Sequence, residues 1–267
     1  MGELIDSSRV HSARRYNYWL GGKDNFAVDR ESADLIAAAF PTVRTMAREN
    51  RGFLRRAATF LAAEAGVRQF LDIGTGLPTA DNTHDVTQAI APETRVVYVD
   101  NDPMVLAHAR ALLTSTAEGR TEYLQADLRD PAAILADPLL RDTLDLTRPV
   151  GLMLIAVLHF IRDTAEAAGV VRTLMAALPP GSYLVASNAT TDFSDAEATA
   201  RYQAMIANGQ VDAYPRSSAE LGEIFAGLEL LEPGFVAVSD WRAGDEPQPR
   251  PDPGEVAVYG AVARKNR

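Results

Sequence analysis

The first strand-like segment and the turn after it, FLDIGTG, contain three residues that can take part in ligand binding: Asp72, Gly74 and Gly76. Glycines at the carboxyl end of the first strand of a doubly wound sheet let a ligand approach the backbone without meeting β-carbons. The next such segment ends in Asp100, near the separation of about 20 residues at which an acidic side chain commonly accepts hydrogen bonds from ribose hydroxyls. This spacing predicts an adenosine site, and a tight turn followed by a helix cap is the alternative.

The chemistry of this loop separates two classes of adenosine ligand. A dinucleotide site commonly has a third glycine and places a pyrophosphate on the helix N-terminus, but Thr79 stands at that position and Pro78 precedes it. The carboxylate of Asp72 repels a diphosphate and attracts an ammonium group. S-adenosylmethionine (SAM) carries an ammonium group and a ribose without phosphate, so the loop favours SAM.

A third acidic residue, Asp127 in YLQADLRD, follows the next strand-like segment. Its carboxylate can accept a hydrogen bond from an exocyclic adenine amine while Leu128 packs against the ring. Capping of a helix that begins at PAAIL is the alternative role for Asp127. The order of Asp72, Asp100 and Asp127 at three successive strand ends favours the binding role.

Histidine supplies a candidate for proton transfer. His159 ends the fourth strand-like segment, and it is the candidate general base because imidazole titrates near neutral pH. A neutral His159 that bonds the backbone is the alternative. The other histidines, His11, His84 and His108, lack the close spacing of a metal site, so we expect no catalytic metal.

The segment YNYWLGGKDNF places aromatic residues beside a double glycine. An aromatic face within about 6 Å of a sulfonium stabilises its charge, which makes Tyr16 a candidate catalytic residue. Gly21–Gly22 can act as the hinge of a lid that closes over the ligand, and we expect Gly22 and Asn25 to contact it. Packing of the aromatic side chains in the core is the alternative.

From Gln69 onward, short apolar segments alternate with helical ones, which indicates a parallel sheet with crossover helices. Five strands are predicted at QFLDI, RVVYV, EYLQA, VGLMLIA and SYLVAS. Ser194 and Glu197 are spaced as a capping box that begins a later helix, and the Pro-rich DEPQPRPDPGE is predicted to be a loop. The final EVAVYGAVAR is predicted to pair antiparallel with a strand near Phe235–Ser239, which gives seven strands.

A long helical region precedes the first strand. Asp24 is the predicted cap of a helix that runs to Ala39, and a second helix follows Pro41 and ends at Gly66. The second helix carries four cations on one stripe: Arg44, Arg48, Arg51 and Arg55. A solvated face explains such a stripe, and a docking surface for an anionic partner is the alternative.

The composition argues against several classes of protein. The 267 residues include 26 Lys and Arg against 36 Asp and Glu, and the formal net charge of -10 disfavours nucleic acid and anionic membranes as partners. The absence of cysteine excludes disulfide frameworks and thiolate metal sites, and it fits a cytoplasmic location. We expect no export signal or lipid anchor, and the apolar run VGLMLIAVLHFI is shorter than the roughly 20 residues that span a bilayer.

The segments FLDIGTG, VVYVDND, QADLRD and AVLHFI resemble, in order and spacing, the cofactor motifs of class I SAM-dependent methyltransferases. More narrowly, SARRYNYWLGGKDNFAVDRE, GLPTADNTHDVTQ and AYPRSSAEL resemble an actinobacterial S-adenosyl methyltransferase family, formerly a domain of unknown function. The resemblance covers nearly the whole chain. It implies a Rossmann-like α/β fold whose mainly parallel sheet has seven strands in the order 3-2-1-4-5-7-6, with strand 7 antiparallel and an N-terminal helical extension.

The resemblance also implies a role for each motif. Asp72, Gly74, Thr75 and Gly76 are expected to border the methionine part of SAM, and Asp100 its ribose. Asn101 to Met104 are expected to contact the edge of the adenine, and Asp127 and Leu128 the adenine itself. Ala156 to His159 are expected to pass beneath the sulfonium. The replaced third glycine is a departure from the broader pattern.

We therefore predict a SAM-dependent methyltransferase that acts on an unidentified small molecule. A non-catalytic SAM-binding or interaction module is the alternative, because no unmistakable base lies beside the methyl site. A dinucleotide-dependent oxidoreductase is the third hypothesis. The predicted organisation is a helical extension or lid over residues 1–66 and a SAM-binding domain over residues 67–267, in one compact unit.

Overall fold

The computed structural model describes residues 6–112 and 114–266, in which eight strands form one sheet. The strands are β1 Gln69–Ile73, β2 Arg95–Asp100, β3 Arg120–Gln125, β4 Gly151–Ile155, β5 Tyr183–Ala189, β6 Glu229–Leu230, β7 Val236–Ala237 and β8 Val258–Arg264. Their order is β3-β2-β1-β4-β5-β8-β6, and β7 also pairs with β8. Strands β1 to β5 are parallel, whereas β8 is antiparallel to β5, β6 and β7.

The Rossmann-like fold and the strand order predicted from the sequence are confirmed, with β8 as the predicted seventh strand. The strand predicted near Phe235–Ser239 is β7, and a further short strand that was not predicted, β6, precedes it and also pairs with β8. Pro233 has no N–H to donate to a neighbouring strand, and Gly234 turns the chain at a φ of 82°. The Gly234 N–H donates to the carbonyl of Leu231 at 2.8 Å, which closes this turn between the two segments.

Eleven helices surround the sheet in the described residues. They are α1 Ser12–Trp19, α2 Ala27–Ala39, α3 Val43–Ala63, α4 Thr83–Ile90, α5 Pro103–Leu112, α6 Pro131–Ala136, α7 Pro138–Thr143, α8 Thr164–Ala176, α9 Ala196–Ala207, α10 Ser218–Ile224 and α11 Pro253–Val256. A 3₁₀ turn, Leu158–Phe160, follows β4. None of the described helices combines the length and the apolar character needed to cross a membrane.

The strands alternate their side chains between two apolar layers. Leu71 and Val97 face a layer that includes α6, α7, α8 and α10, while Phe70 and Val96 face a layer that includes α3 and α5. Helix α3 is therefore part of the core of the sheet, through residues such as Phe53. The division at residue 66 stays a prediction.

Helix α2 begins later than predicted. Its first residue is Ala27, and the Asp29 side chain accepts a hydrogen bond from the Phe26 N–H at 2.9 Å. The predicted cap Asp24 lies before this start, where its N–H donates to the side chain of Asn17 at 3.1 Å. The helix starts where its own first-turn carboxylate can satisfy a free backbone donor.

Two further local predictions are wrong. The cap of α9 is Asp195, which accepts from the Ala198 N–H at 2.7 Å, rather than Ser194. Helix α11 begins inside the segment predicted to be a loop, at Pro253. Proline is favoured at the first helical position because its missing N–H has no partner there, so the prolines permit this single turn.

Candidate active site

A cavity of about 720 Å³ opens at the carboxyl ends of the parallel strands. This edge of an open α/β sheet is where ligands commonly bind, because the chain there turns away from the sheet and leaves a crevice. Helix α1 and the first turns of α3 form its other wall. Eleven residues predicted from the sequence line it: Tyr16, Asp72, Gly74, Thr75, Gly76, Asp100, Asn101, Asp127, Leu128, Ala156 and His159.

Three residues predicted to bind the cofactor lie outside this lining. Met104 packs in a small apolar cluster with Leu77 and Val105. The side chain of Asn25 is occupied within its own segment, where it donates to Asn17 Oδ1 and to the carbonyl of Gly22, both at 3.0 Å. A β-carbon on Gly22 would lie 2.3 Å from the Asn17 side chain, so packing, rather than a ligand, explains that glycine.

The glycine loop has the backbone conformation that its sequence predicts. Gly74 and Gly76 adopt φ angles of 76° and 67°, which residues with a β-carbon rarely take. A β-carbon on Gly74 would lie 2.4 Å from Val157, whereas one on Gly76 would meet nothing within 4 Å. Gly74 is therefore required for packing against the turn after β4, and open space for a ligand lies at Gly76.

Asp100 is held firmly at the end of β2. The Gly76 N–H donates to its Oδ2 and the Asp102 N–H to its Oδ1, both at 2.9 Å. Burial raises the pKa of Asp100, and these two hydrogen bonds oppose that effect. Each carboxylate oxygen keeps a second lone pair, so Asp100 can still accept from ligand hydroxyls.

Asp72 is buried at the end of β1. The Thr83 hydroxyl donates to its Oδ2 at 2.6 Å. Burial raises the pKa of Asp72 to about 6, although the Thr83 bond and the charge of Arg51 lower it. A ligand cation beside this carboxyl would stabilise its ionised form.

Asp127 borders the cavity but already has a cationic partner. The Arg129 side chain donates from Nε to Oδ1 at 3.0 Å and from Nη2 to Oδ2 at 2.6 Å, and this pairing lowers the pKa of Asp127. The alternative role as a helix cap is wrong, because Asp130 caps α6 by accepting from the Ala133 N–H. Leu128 is buried beside Asp127 and offers an apolar surface to the cavity.

The geometry of His159 differs from that of a general base. The Ala189 N–H donates to its Nδ1 at 3.3 Å, and burial lowers the pKa of His159 to about 4. A neutral imidazole carries one proton, which this hydrogen bond assigns to Nε2. His159 therefore presents an N–H donor at neutral pH, which is the alternative that the sequence left open.

Tyr16 is the first member of a hydrogen-bonded chain that crosses the site. Its hydroxyl donates to the Ala47 carbonyl at 2.9 Å and accepts from Asn50 Nδ2 at 3.0 Å, and burial raises its pKa. The Ser187 hydroxyl donates to Asn50 Oδ1 at 2.7 Å and accepts from the Ala156 N–H at 2.9 Å. The phenol is thus protonated and engaged, and its ring is the part that can act on a ligand.

Asn50 and Ser187 were not predicted from the sequence as site residues. Each is a polar residue at a buried position, on the apolar face of α3 and inside β5 respectively, and that pattern was the available signal. Their chain holds Ala156 at a φ of 53°, a conformation that costs energy in a residue with a β-carbon. The turn after β4 is therefore fixed by side chains from two other elements.

The cavity continues beyond β4 into an apolar part, which we term the apolar chamber. It is lined by Trp19, Ile36, Phe40, Val43, Tyr202 and Val211. Arg15 also lines the cavity, where it pairs with Asp212. The described residues contain no group of three or more His, Cys, Asp or Glu that could hold a metal ion, and the expectation of no catalytic metal stays a prediction.

The chain was compared with known proteins at the level of families, curated sequences and solved structures. The family model described as S-adenosyl methyltransferase matches residues 1–266. A DUF574 family protein from Streptomyces avermitilis is 48% identical, with a TM-score of 0.90, 98% of this chain covered and 100% of the other. A candidate methyltransferase from Thermobifida fusca is 40% identical, with a TM-score of 0.89, 98% of this chain covered and 97% of the other.

Distant matches agree with the fold. The N-methyltransferase NodS from Bradyrhizobium japonicum is 17% identical with a TM-score of 0.50, over 84% of this chain and 98% of the other. No curated protein matches the chain. From the family match, which spans nearly the whole sequence, the chain belongs to the S-adenosyl methyltransferase family and is a SAM-dependent methyltransferase.

Proposed function

We propose that this methyltransferase acts on a small molecule bound in the apolar chamber. The observation that carries the proposal is that one continuous cavity joins the acidic strand ends to this chamber. Its volume of about 720 Å³ falls in the range of roughly 300–1,000 Å³ for small-molecule sites. The apolar side chains favour an acceptor with a substantial apolar body.

The residues on the glycine-loop side match the chemical groups of SAM. Asp72 suits the ammonium group, Asp100 the ribose hydroxyls, and the buried face of Leu128 the adenine ring. When bound, SAM supplies a methyl group activated by attachment to a positively charged sulfur. The open space at Gly76 supports a close approach of the ligand to the backbone.

The protein's own contribution is to orient the acceptor and to exclude water. Tyr16 lines the same cavity, and its ring is suited to face a sulfonium. His159 offers an N–H donor to the acceptor, so we assign it an orienting role instead of the general-base role predicted from the sequence. In this arrangement the acceptor atom attacks the methyl group without a histidine base that removes its proton.

A labelling experiment tests the proposal. The enzyme is incubated with SAM labelled in its methyl group and a cell extract divided into low-molecular-mass, protein and nucleic-acid fractions. We expect label to appear in the low-molecular-mass fraction, and we expect Asp100→Ala to reduce it. Label that appears only in protein or nucleic acid contradicts a small-molecule acceptor. SAM binding without transfer to any fraction contradicts the catalytic assignment of the cavity.

A further inference from the structure

Four arginines form a stripe on α3, and the structure separates one of them from the others. Arg44 and Arg48 are exposed, and Arg55 pairs at the surface with Glu246 at 2.5 Å. Arg51 instead reaches the cavity and lines it. The stripe is therefore not a uniform solvated face.

Arg51 has a buried donor that lacks an acceptor. Its Nη2 donates to the carbonyls of Ala80 at 3.0 Å and Asp81 at 2.9 Å, which fixes the guanidinium against the loop after the glycines. Its Nε is buried without a hydrogen-bond partner. Within residues 6–112 and 114–266 no acidic side chain forms an ion pair with it. An unsatisfied buried donor is costly, so a ligand acceptor is expected there.

Asp72 lies at the same end of the cavity and carries the opposite charge. The Arg51 guanidinium is near enough to lower the pKa of Asp72, against the larger raising effect of burial. Asn50 and Gly74 line the cavity together with them. A cation and a carboxylate at one end of a cavity match the carboxylate and ammonium groups that an α-amino acid carries on one carbon.

We propose that Arg51 binds the α-carboxylate of the methionine part of SAM, while Asp72 takes its ammonium group. This inference rests on the proposed function, because it places the amino-acid end of SAM at the glycine loop. It makes Arg51 a specificity residue, since the site then distinguishes a complete amino acid from one without the carboxylate. The planar donors of arginine suit a carboxylate better than the point charge of lysine.

Calorimetric titration with two ligands tests the inference. S-adenosylhomocysteine has the carboxylate, and its decarboxylated analogue keeps the adenosine, the thioether and the amine. For Arg51→Gln we expect the Kd of S-adenosylhomocysteine to rise about 10- to 100-fold, and that of the analogue to change less than about twofold, because one charge-assisted hydrogen bond is lost. Arg48→Gln, on the same helix but exposed, is the matched control and leaves both Kd values unchanged.

Two results overturn the inference. An unchanged Kd of S-adenosylhomocysteine in Arg51→Gln removes the contact. Equal losses for both ligands show that Arg51 only holds the backbone of Ala80 and Asp81. Arg51→Lys keeps the charge, and we expect its Kd for S-adenosylhomocysteine to lie between those of wild type and Arg51→Gln. If circular dichroism shows that Arg51→Gln is unfolded, the ratio of the two Kd values in Arg51→Lys decides the question.

The placement of the cofactor is tested separately from the role of Arg51. If Asp100→Ala leaves the affinity for both ligands unchanged, the cofactor does not bind at the proposed strand ends. If Asp100→Ala weakens both ligands and Arg51→Gln weakens neither, the placement holds and only the role of Arg51 is lost.

Discussion

Asp100 can serve a ligand although two backbone donors already occupy its carboxylate, since one lone pair on each oxygen is free. We expect Asp100→Ala to weaken the binding of S-adenosylhomocysteine by about 1–3 kcal/mol, because a charged acceptor for ribose hydroxyls is lost. Isothermal titration calorimetry measures this, with the thermal unfolding midpoint as a check on folding. Unchanged affinity in the folded variant would remove the ribose assignment.

We expect Asp72 to give cofactor binding a pH dependence. Burial raises the pKa of Asp72 to about 6, so at lower pH the carboxyl is mostly protonated and an ammonium group meets a neutral partner. Binding of the cation favours the ionised form, and affinity for S-adenosylhomocysteine should therefore fall as the pH drops below 6, by up to about tenfold per pH unit.

The control for this pH dependence is Asp72→Asn. The amide does not titrate, so the variant should bind more weakly near neutral pH and lose most of the change between pH 5 and pH 7, both values set around the pKa of about 6. A pH profile in Asp72→Asn with the wild-type slope contradicts the assignment.

At the scale of elements, the turn from β1 to α4 contains two glycines that differ in the space around them. Both have positive φ angles, but only Gly74 would place a β-carbon against Val157. We expect Gly74→Ala to lower the free energy of unfolding by about 1–3 kcal/mol more than Gly76→Ala, because overpacking adds to the same backbone strain. Urea unfolding of both variants tests the difference, and equal losses would show that Val157 moves aside freely.

The ends of the parallel strands were predictable because their signals are local. Asp72 and Asp100 each follow an apolar run, and parallel strands bring such positions to one edge. Arg51 was not predictable as a site residue, since its place depends on how α3 rotates against the sheet. The short strand β6 was not predicted, because it is only two residues long and a turn at Gly234 separates it from β7.

At the scale of the whole molecule, α1 connects both sides of the cavity through neighbouring arginines. Arg14 Nε donates to the buried carboxylate of Asp102 at 3.0 Å, beside the predicted ribose site. Arg15 pairs with Asp212, which lines the cavity next to Val211 of the apolar chamber. The two ion pairs attach α1 on both sides of the cavity, so any movement of α1 as a cover breaks at least one of them.

The segment from Arg14 to Asn25 is therefore expected to be a lid. Gly21 has a φ of 85° and open space around it, which suits a hinge, whereas Gly22 is packed against Asn17. Such covers open to admit ligand and are held more firmly once it is bound. We expect amide hydrogen exchange in residues 16–25 to slow when S-adenosylhomocysteine binds, with the core strand β4 as the internal reference.

A permanent structural strap gives the opposite result. Exchange in residues 16–25 would then be equal with and without ligand, and removal of the first 25 residues would leave cofactor affinity intact. Arg14→Ala tests the attachment of α1 without truncation. Loss of the bond from Arg14 to Asp102 should speed exchange in α1 in the free protein and leave the exchange of β4 unchanged. The response of exchange to ligand separates the two cases, because only a moving cover exchanges more slowly once ligand is bound.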